Sequence, residues 1–480
     1  MRLLCLFGSL LIAATGVAQT PKASEAAEFV NVEAPVFVLE HVRVIDGTGA
    51  AAQEDQAVVI ANGKIESIGP SAAVQIPQGA TVMDRTGYTV IPGLVGMHDH
   101  LFYADSVAVQ RAGGREPGML AAELSYTGPR LYLAAGVTTM RTTGSVEPYT
   151  DLKVKSRIDA NLMPGPSIDV TAPYLEGAPT QFAQMHELTG ADDAKRLVDY
   201  WAGEGMTSYK AYMHITREEL GAAITAAHAH KMKLTGHLCS VTWPEAVALG
   251  IDNLEHGPVF ADTEFVADKK PDVCPAAGSM SWAKQDVNGL TVQQLIRNLV
   301  AHHVAVTSTL PVFEVSVPGR PKLQRRMLEA MSSEAAQSYL TARAGVALDS
   351  PMTSLMRKEM DFEVAFFKAG GWLLGGPDPT GNGGVLPGFG DQREIELLVE
   401  AGLTPLEAIH VGTENGAVYL GQHERIGSLT PGKQADMVLI KGDPSKNIED
   451  IENVETVFKA GVGYDSKKLI DSVRGQVGIH

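Results

Sequence analysis

Cysteine is scarce: the 480 residues contain three, and Cys5 falls in a segment expected to be removed, leaving Cys239 and Cys274. Two thiols cannot form the disulfide framework that substitutes for a core in small exported domains. They could still pair with each other, which the sequence leaves open. Positive charge is also short, with 39 Lys and Arg against 56 Asp and Glu and a formal net charge of −17. Such a surface repels phosphate backbones and anionic lipid unless its cations cluster. Arg325-Arg326 and Lys467-Lys468 are no more than pairs, so no cluster forms and no nucleic-acid partner is expected. Beyond the N-terminus no apolar run approaches the ~20 residues of a bilayer span, and stable membrane insertion is not expected. There is no low-complexity tract, no repeat of fixed period and no Gly-rich dinucleotide fingerprint after an early strand. The missing fingerprint weighs against an open doubly wound sheet.

What is present is ordinary globular composition, 45% hydrophobic and 20% charged, with 49 Gly and 26 Pro. Residues 1–20 place one Arg ahead of about a dozen apolar residues ending in Gly16 and Ala18. That pattern predicts a signal peptide over 1–18 and export to the periplasm or the medium; the alternative is a buried N-terminal helix. A homo-oligomer is expected.

Residues 36–90 carry alternating runs broken by Gly, Asn and Pro, and the last 60 residues carry similar ones. The two ends are expected to pair into one small β-sandwich domain, 33–90 with 416–464. Between 91 and 415 short apolar runs alternate with longer amphipathic stretches, the mark of repeated βα units. Eight strand candidates stand out, namely VIPGLVGMHDH, GVTTMRTTG, PSIDVTAP, MTSYKAYM, KLTGHL, IDNLEHG, HVAVTSTL and WLLGGPDP. Helices between them open with capping-box pairs Thr216/Glu219, Thr242/Glu245, Thr291/Gln294 and Thr404/Glu407. Eight strands with helical crossovers predict an α/β fold, a (β/α)₈ TIM barrel with its chemistry at the C-terminal strand ends. Residues 316–369 add about three helical patterns, expected as an elaborated loop or lid over the mouth. The stretch 375–390 is too rich in Gly and Pro for a helix and is expected to shape the site floor.

His98 and His100 end the first run, and alternation along a strand points residues i and i+2 to one side. Two imidazoles so placed form half of a metal site. Lys210, His237, His256 and Asp378 fall at the ends of four other candidate strands, and a closed barrel gathers such ends about one axis. Each has a plainer reading. Lys210 could be a rim lysine, the histidines satisfied core residues, and Asp378 a cap of the turn before Gly381. Five strands each ending in a ligand-type residue are hard to obtain by accident.

With these motifs the chain resembles the amidohydrolase superfamily, in particular its branch of imidazolonepropionases, metal-dependent prolidases and other dipeptidases. The carriers span residues 36–464 and include VIPGLVGMHDH, GVTTMR, Lys210, TGHL, LEHG, GGPDPTG, LTPLEAIHVGTENGAVYLG and GSLTPGKQADMVLI. The resemblance implies two divalent metal ions, zinc by preference for a mixed nitrogen and oxygen site without thiolates. It implies His98, His100 and Asp378 on one metal and His237 and His256 on the other. Lys210 would bridge them as N6-carboxylysine, a carbamate formed with carbon dioxide. Two departures stand out. Arg141 is followed by Thr142-Thr143-Gly144, where related sequences often carry Asp, and the 316–369 elaboration is longer than the family's usual connection.

The implied reaction is hydrolysis of an amide C–N bond, most readily in a dipeptide or N-acyl amino acid, by a metal-bridging hydroxide with Asp378 as proton shuttle. Candidates for holding this small-molecule substrate are Tyr212, His214, Tyr103 and Arg141. Opening of a cyclic amide or lactone is the first rival. Deamination is disfavoured, because no HxxE follows His237, and a metal-free scaffold is disfavoured by the complete ligand set. His186, His228, His230, His302 and His303 are read as structural.

Overall fold

The computed structural model describes residues 24–105, 120–180, 182, 184–276, 278–380 and 383–478; the expected signal segment 1–18 lies outside the described residues. The eight apolar runs become eight parallel strands: β1 (Leu94–Gly96), β2 (Val137–Arg141), β3 (Ser167–Asp169), β4 (Ser208–Ala211), β5 (Lys233–Gly236), β6 (Asn253–Glu255), β7 (Ala305–Ser308) and β8 (Leu373–Gly375). Nearly every residue in them is buried, as expected for parallel strands covered on both faces. Strands β1 to β3 form one sheet and β4 to β8 another, both in chain order. Single bridges Thr171–Ser208 and Leu175–Ala211 join the sheets on one side. On the other side the Met97 N–H donates to the Gly375 carbonyl at the end of β8 (2.9 Å). The architecture is therefore TIM-barrel-like α/β, with its ladders running as two arcs. An open doubly wound sheet requires a reversal of strand order, and neither arc contains one.

The chain ends pair with each other as expected. Strand Met437–Lys441 runs antiparallel to Tyr88–Pro92 in the register Met437 to Pro92 through Lys441 to Tyr88. Pairing gives one nine-stranded sheet in place of two separate ones. That sheet is strongly coiled. Val36–Val44 and Val454–Lys459 lie three strands apart in it, roughly 14 Å if flat, yet Phe37 and Phe458 stack with centroids 5.2 Å apart. The Ala435 N–H donates to the Gly63 carbonyl (2.9 Å), bringing the edge hairpin before Lys64–Pro70 against the start of the central strand Met437–Lys441. Phe37, Leu39, Val58, Ile60, Met437, Leu439 and Phe458 fill the inside of the coil. Strand Tyr88–Pro92 leads directly into β1, so the module and the barrel-like body share a backbone path just ahead of His98.

Three expected capping boxes form, at Thr216/Glu219, Thr242/Glu245 and Thr404/Glu407. The fourth does not: helix Leu290–Ala301 starts two residues earlier than that box requires, behind Gly289, so Thr291 sits inside the first turn. The helical patterns in 316–369 become Arg325–Ala330, Ser333–Ala344 and Met352–Lys368. Met352–Lys368 is not a lid. Its Leu355, Met356, Met360, Phe362 and Phe366 pack into the main core around the strands, because its apolar face is as wide as that of a wall helix. Met327, Ala330, Ala335 and Tyr339 from the other two pack with Val473 and Val477 of the C-terminal tail. The described residues of 376–388 form no helix, as their Gly and Pro content implies, but the expected non-helical stretch 375–390 runs too far, because Phe389 and Gly390 already open helix Phe389–Ala401. No helix among the described residues is long and apolar enough to cross a membrane.

Three carboxylates are buried between Met352–Lys368, helix Phe389–Ala401 and the strand ends. Glu359 accepts from the Val259 N–H (2.8 Å), Glu363 from the Ser308 hydroxyl (2.9 Å) and Glu394 from the Leu310 N–H (3.0 Å). Each leaves its Oε1 without a hydrogen-bond partner. Burial pushes the pKa of all three up, that of Glu394 to about 8. A carboxyl whose pKa is raised on folding holds a proton that the unfolded chain releases, so its contribution to stability declines from the ordinary carboxylate range up to the folded pKa. Glu394→Gln keeps an acceptor for Leu310 and removes the titration. Its melting temperature should match wild type near pH 5 and exceed it by a few degrees at pH 8 in thermal denaturation scans. A constant offset across that range would show that Glu394 does not titrate there.

Candidate metal centre

All six ligand-type residues meet at the C-terminal ends of the strands. His98 and His100 follow β1, Lys210 lies in β4, His237 and His256 follow β5 and β6, and Asp378 follows β8. Asp378 Oδ1 lies 3.2 Å from His100 Nε2, and its Oδ2 lies 3.8 Å from both His98 Nε2 and His256 Nδ1. Lys210 Nζ is 3.0 Å from His98 Nε2. The His256 ring sits 4.6 Å from that of His98 and 4.2 Å from that of His237, centroid to centroid. The six come from five strand ends and converge in one buried cluster.

The backbone is strained where it delivers these groups. His256 and Asp378 both adopt left-handed φ angles, 73° and 51°, which a non-glycine residue takes up only when its surroundings impose them. The end of β8 also lies hard against β1: a Cβ on Gly376 would fall 2.2 Å from the His98 nitrogen, so only glycine fits. That approach lets the Asp378 N–H donate to the His98 carbonyl (2.9 Å).

Three of the four imidazoles are oriented by a second ring nitrogen, the usual arrangement around metal-ligating histidines. His98 Nδ1 bonds Glu255 Oε2 (2.7 Å), His100 Nδ1 bonds the Thr142 carbonyl (2.9 Å) and His256 Nδ1 bonds Thr309 Oγ1 (2.8 Å). Burial holds all four imidazole pKa values down, His98 to about 4 and His237 to about 3. They are therefore neutral near pH 7, the form that ligates metal. Burial alone would raise Asp378, but the His98 and His100 imidazoles hold it well below the usual carboxylate range. Burial lowers Lys210 to about 8 despite the nearby Glu255 and Asp378 carboxylates. His256 Nε2 is buried with no hydrogen-bond partner, and ligand atoms of His98, His256 and Asp378 lie within 4.8 Å of one another. A buried lone pair without a donor, beside a carboxylate and further neutral imidazoles, fits a divalent cation better than it fits a closed hydrogen-bond network.

The expected substrate contacts divide. Tyr212 sits beside the cluster, its ring 5.0 Å from that of His237, and forms an aromatic wall with Phe102, Tyr174 and Phe182. His214 is partly exposed at the mouth, its backbone N–H donating to Glu176 Oε1 (2.6 Å) and its Nδ1 lying 3.6 Å from Oε2. Tyr103 instead packs in an apolar cluster with Leu124, Leu131, Leu386 and Phe389. Arg141 is a correction. It is 1% exposed, and its guanidinium donates to the Met97 carbonyl (2.5 and 2.9 Å) and to Glu255 Oε1 (2.7 Å). It lies beneath the cluster because a guanidinium inside the body requires a buried carboxylate.

That carboxylate, Glu255, is absent from the sequence-based candidates. It is fully buried and bonds Arg141 and His98, with further donors from Asn253 (2.9 Å) and Thr235. The available signal was a charged residue inside an otherwise apolar strand run, which must find a partner. Of the histidines read as structural, His186, His228 and His230 pair at the surface with Asp193, Asp252 and Asp199. The pairing of Cys239 with Cys274, left open by the sequence, is present with Cα atoms 4.8 Å apart.

Comparison with known proteins points the same way. A model of the amidohydrolase family matches residues 389–463. A dihydroorotase from Pelotomaculum thermopropionicum is 26% identical over 82% of this chain and 87% of its own length. An imidazolonepropionase from Geobacillus kaustophilus is 25% identical over 85% of this chain and 89% of its own. Among solved structures, a Xaa-Pro dipeptidase with bound methionine in its active site superposes with a TM-score of 0.65 at 18% identity, covering 90% of this chain and all of that one. That last likeness concerns the fold.

Glu255→Gln keeps the shape but removes the charge that His98 and Arg141 share. Metal affinity, measured by competition with a chelator, should fall roughly 10- to 100-fold. Unchanged affinity would show that Glu255 serves only to neutralise Arg141.

Proposed function

We propose, for a chain that belongs to the amidohydrolase superfamily and hydrolyses carbon–nitrogen bonds, that it cleaves the amide of a dipeptide or N-acyl amino acid at a binuclear centre. The observation that carries this is the Asp378 carboxylate within 3.2 to 3.8 Å of three imidazoles, with Lys210 Nζ 3.0 Å from one of them. In this reading His98, His100 and Asp378 hold one cation and His237 and His256 the second. Lys210 joins them after its amine attacks the carbon of carbon dioxide and loses a proton, becoming N6-carboxylysine. The lysine must be neutral to do so, and burial favours that form. Bound zinc ions would supply Lewis acidity toward the substrate carbonyl and toward a water molecule.

The chain's own groups do the rest. Asp378, kept ionised by its imidazole neighbours, takes a proton from the attacking water and hands it to the leaving nitrogen. Tyr212 and the His214 ring at the mouth orient the substrate by hydrogen bonds to its carbonyl or carboxylate. The aromatic wall of Phe102, Tyr174 and Phe182 excludes bulk water on one side. The scaffold of the reading is a closed (β/α)₈ barrel over 91–415 joined to a small β-sandwich domain of 33–90 and 416–464.

The test is a dipeptide and N-acyl amino acid library read by free-amine release. Cyclic amides and lactones are assayed in parallel, because the curated relatives bear names of enzymes other than peptidases. Turnover confined to the cyclic compounds would overturn the choice of substrate. Asp378→Asn should retain most of the metal and lose activity by about 10²-fold or more; an active Asp378→Asn would remove the residue from its role. Lys210→Ala should bind less metal, with partial recovery on adding short-chain carboxylates. Full occupancy by two ions in that variant, measured by elemental analysis, would refute the bridge.

A further inference from the structure

A cavity of about 350 Å³ adjoins the centre because His237 is one of its walls. His98, His100 and His256 are at most 2% exposed, whereas His237 keeps some open surface, so the cluster meets the cavity at that ring. The volume falls within the ~300–1,000 Å³ of small-molecule sites. The Cys239–Cys274 disulfide ties together the two loops that bound the space. Phe260 in its wall stacks on Phe313 at 3.7 Å, and Phe313 meets the His256 ring edge-on at 5.8 Å. Aromatic packing thus runs from the cavity wall to the centre.

The walls are mainly apolar. Met213, Leu238, Phe260, Pro275 and Met280 belong to them, and no Lys, Arg or Glu is among the described ones. Their one carboxylate, Asp262, does not present its charge to the space. It is 1% exposed, its Oδ1 accepts from the N–H groups of Trp243 (3.0 Å), Thr263 (2.8 Å) and Glu264 (3.2 Å), and its Oδ2 is sealed from solvent. The Thr263 hydroxyl is committed to the Cys239 carbonyl (2.8 Å). A charged side chain entering here would give up its hydration and meet no counter-charge. A hydrocarbon chain carries no such cost and gains by leaving water. The two methionines are unbranched and polarizable, so they adapt to linear and aromatic shapes alike.

We propose that this cavity receives the side chain of the substrate and selects an apolar one, linear or aromatic, over a charged one. The proposal rests on the dipeptide or N-acyl amino acid reading of the adjoining centre. Met213, Phe260 and Met280 cover the methylenes, and no wall group answers a terminal charge. Norleucine and lysine share a linear stem and isolate that difference, while glutamic acid probes the opposite sign.

The test measures binding of free norleucine, lysine and glutamic acid to full-length, zinc-loaded protein by calorimetry, because single amino acids have no amide to cleave. Norleucine should bind at least tenfold more tightly than either charged compound. Met280 lies on the rim and is 49% exposed, so its replacement leaves the core intact. Met280→Trp, which fills the cavity, should weaken norleucine, and Met280→Glu, which supplies a counter-charge, should raise lysine binding relative to norleucine. Equal binding of the three compounds to wild type, or norleucine binding indifferent to both variants, overturns the subsite. Turnover of Gly-norleucine against Gly-Lys, and of norleucine-Gly against Lys-Gly, separates the two readings. A norleucine preference in binding with no dipeptide or N-acyl amino acid hydrolysed would reject the peptidase reading and leave the subsite standing. Hydrolysis without side-chain preference in either position would do the reverse.

Discussion

The centre depends on how one charge is buried. Glu255 has no exposure to solvent, and a carboxylate so placed survives only when donors surround it. Its donors come from four strands or strand ends: His98 after β1, Arg141 in β2, Thr235 in β5 and Asn253 in β6. Satisfying Glu255 therefore locks the relative positions of strands remote in sequence. It also turns the Nε2 of His98 toward Lys210 and Asp378. The same network gives Arg141 its partner, so a guanidinium and a carboxylate that would each be prohibitive alone are tolerated together.

The strained residues sit where this network meets the site. His256 and Asp378 hold left-handed backbone conformations, and Gly376 brings the β8 end within reach of His98. Strain of this kind has to be maintained by packing elsewhere. The wall helix Met352–Lys368 and the buried carboxylates Glu359, Glu363 and Glu394, hydrogen-bonded to the chain just past β6 and β7, are part of that packing. The coiled terminal sheet contributes by leading its strand Tyr88–Pro92 directly into β1.

The legible parts of the sequence share a property: each signal was local. The HxH alternation, the eight short apolar runs, three of the four capping boxes and most of the Gly- and Pro-rich 375–390 stretch, up to the helix that opens at Phe389, all follow from neighbours within a few residues. Thr291/Gln294 failed because a hydroxyl three residues ahead of a glutamine caps only if the helix begins between them, and the helix starts at Leu290. Arg141 was misassigned because charge at a strand end reads the same whether it faces a mouth or a buried partner 114 residues away. Helix Met352–Lys368 was expected in a lid because a helical pattern does not say which surface its apolar face covers.

What the sequence determined by itself was the order and type of elements and the supply of ligand-type residues at strand ends, since periodicity and turn chemistry are encoded over short spans of chain. Tertiary structure alone decided that those residues converge, that Glu255 orients His98 and that Cys239 bonds Cys274. Each of these depends on atoms brought within a few ångströms from positions tens to hundreds of residues apart, and no local pattern records such distances.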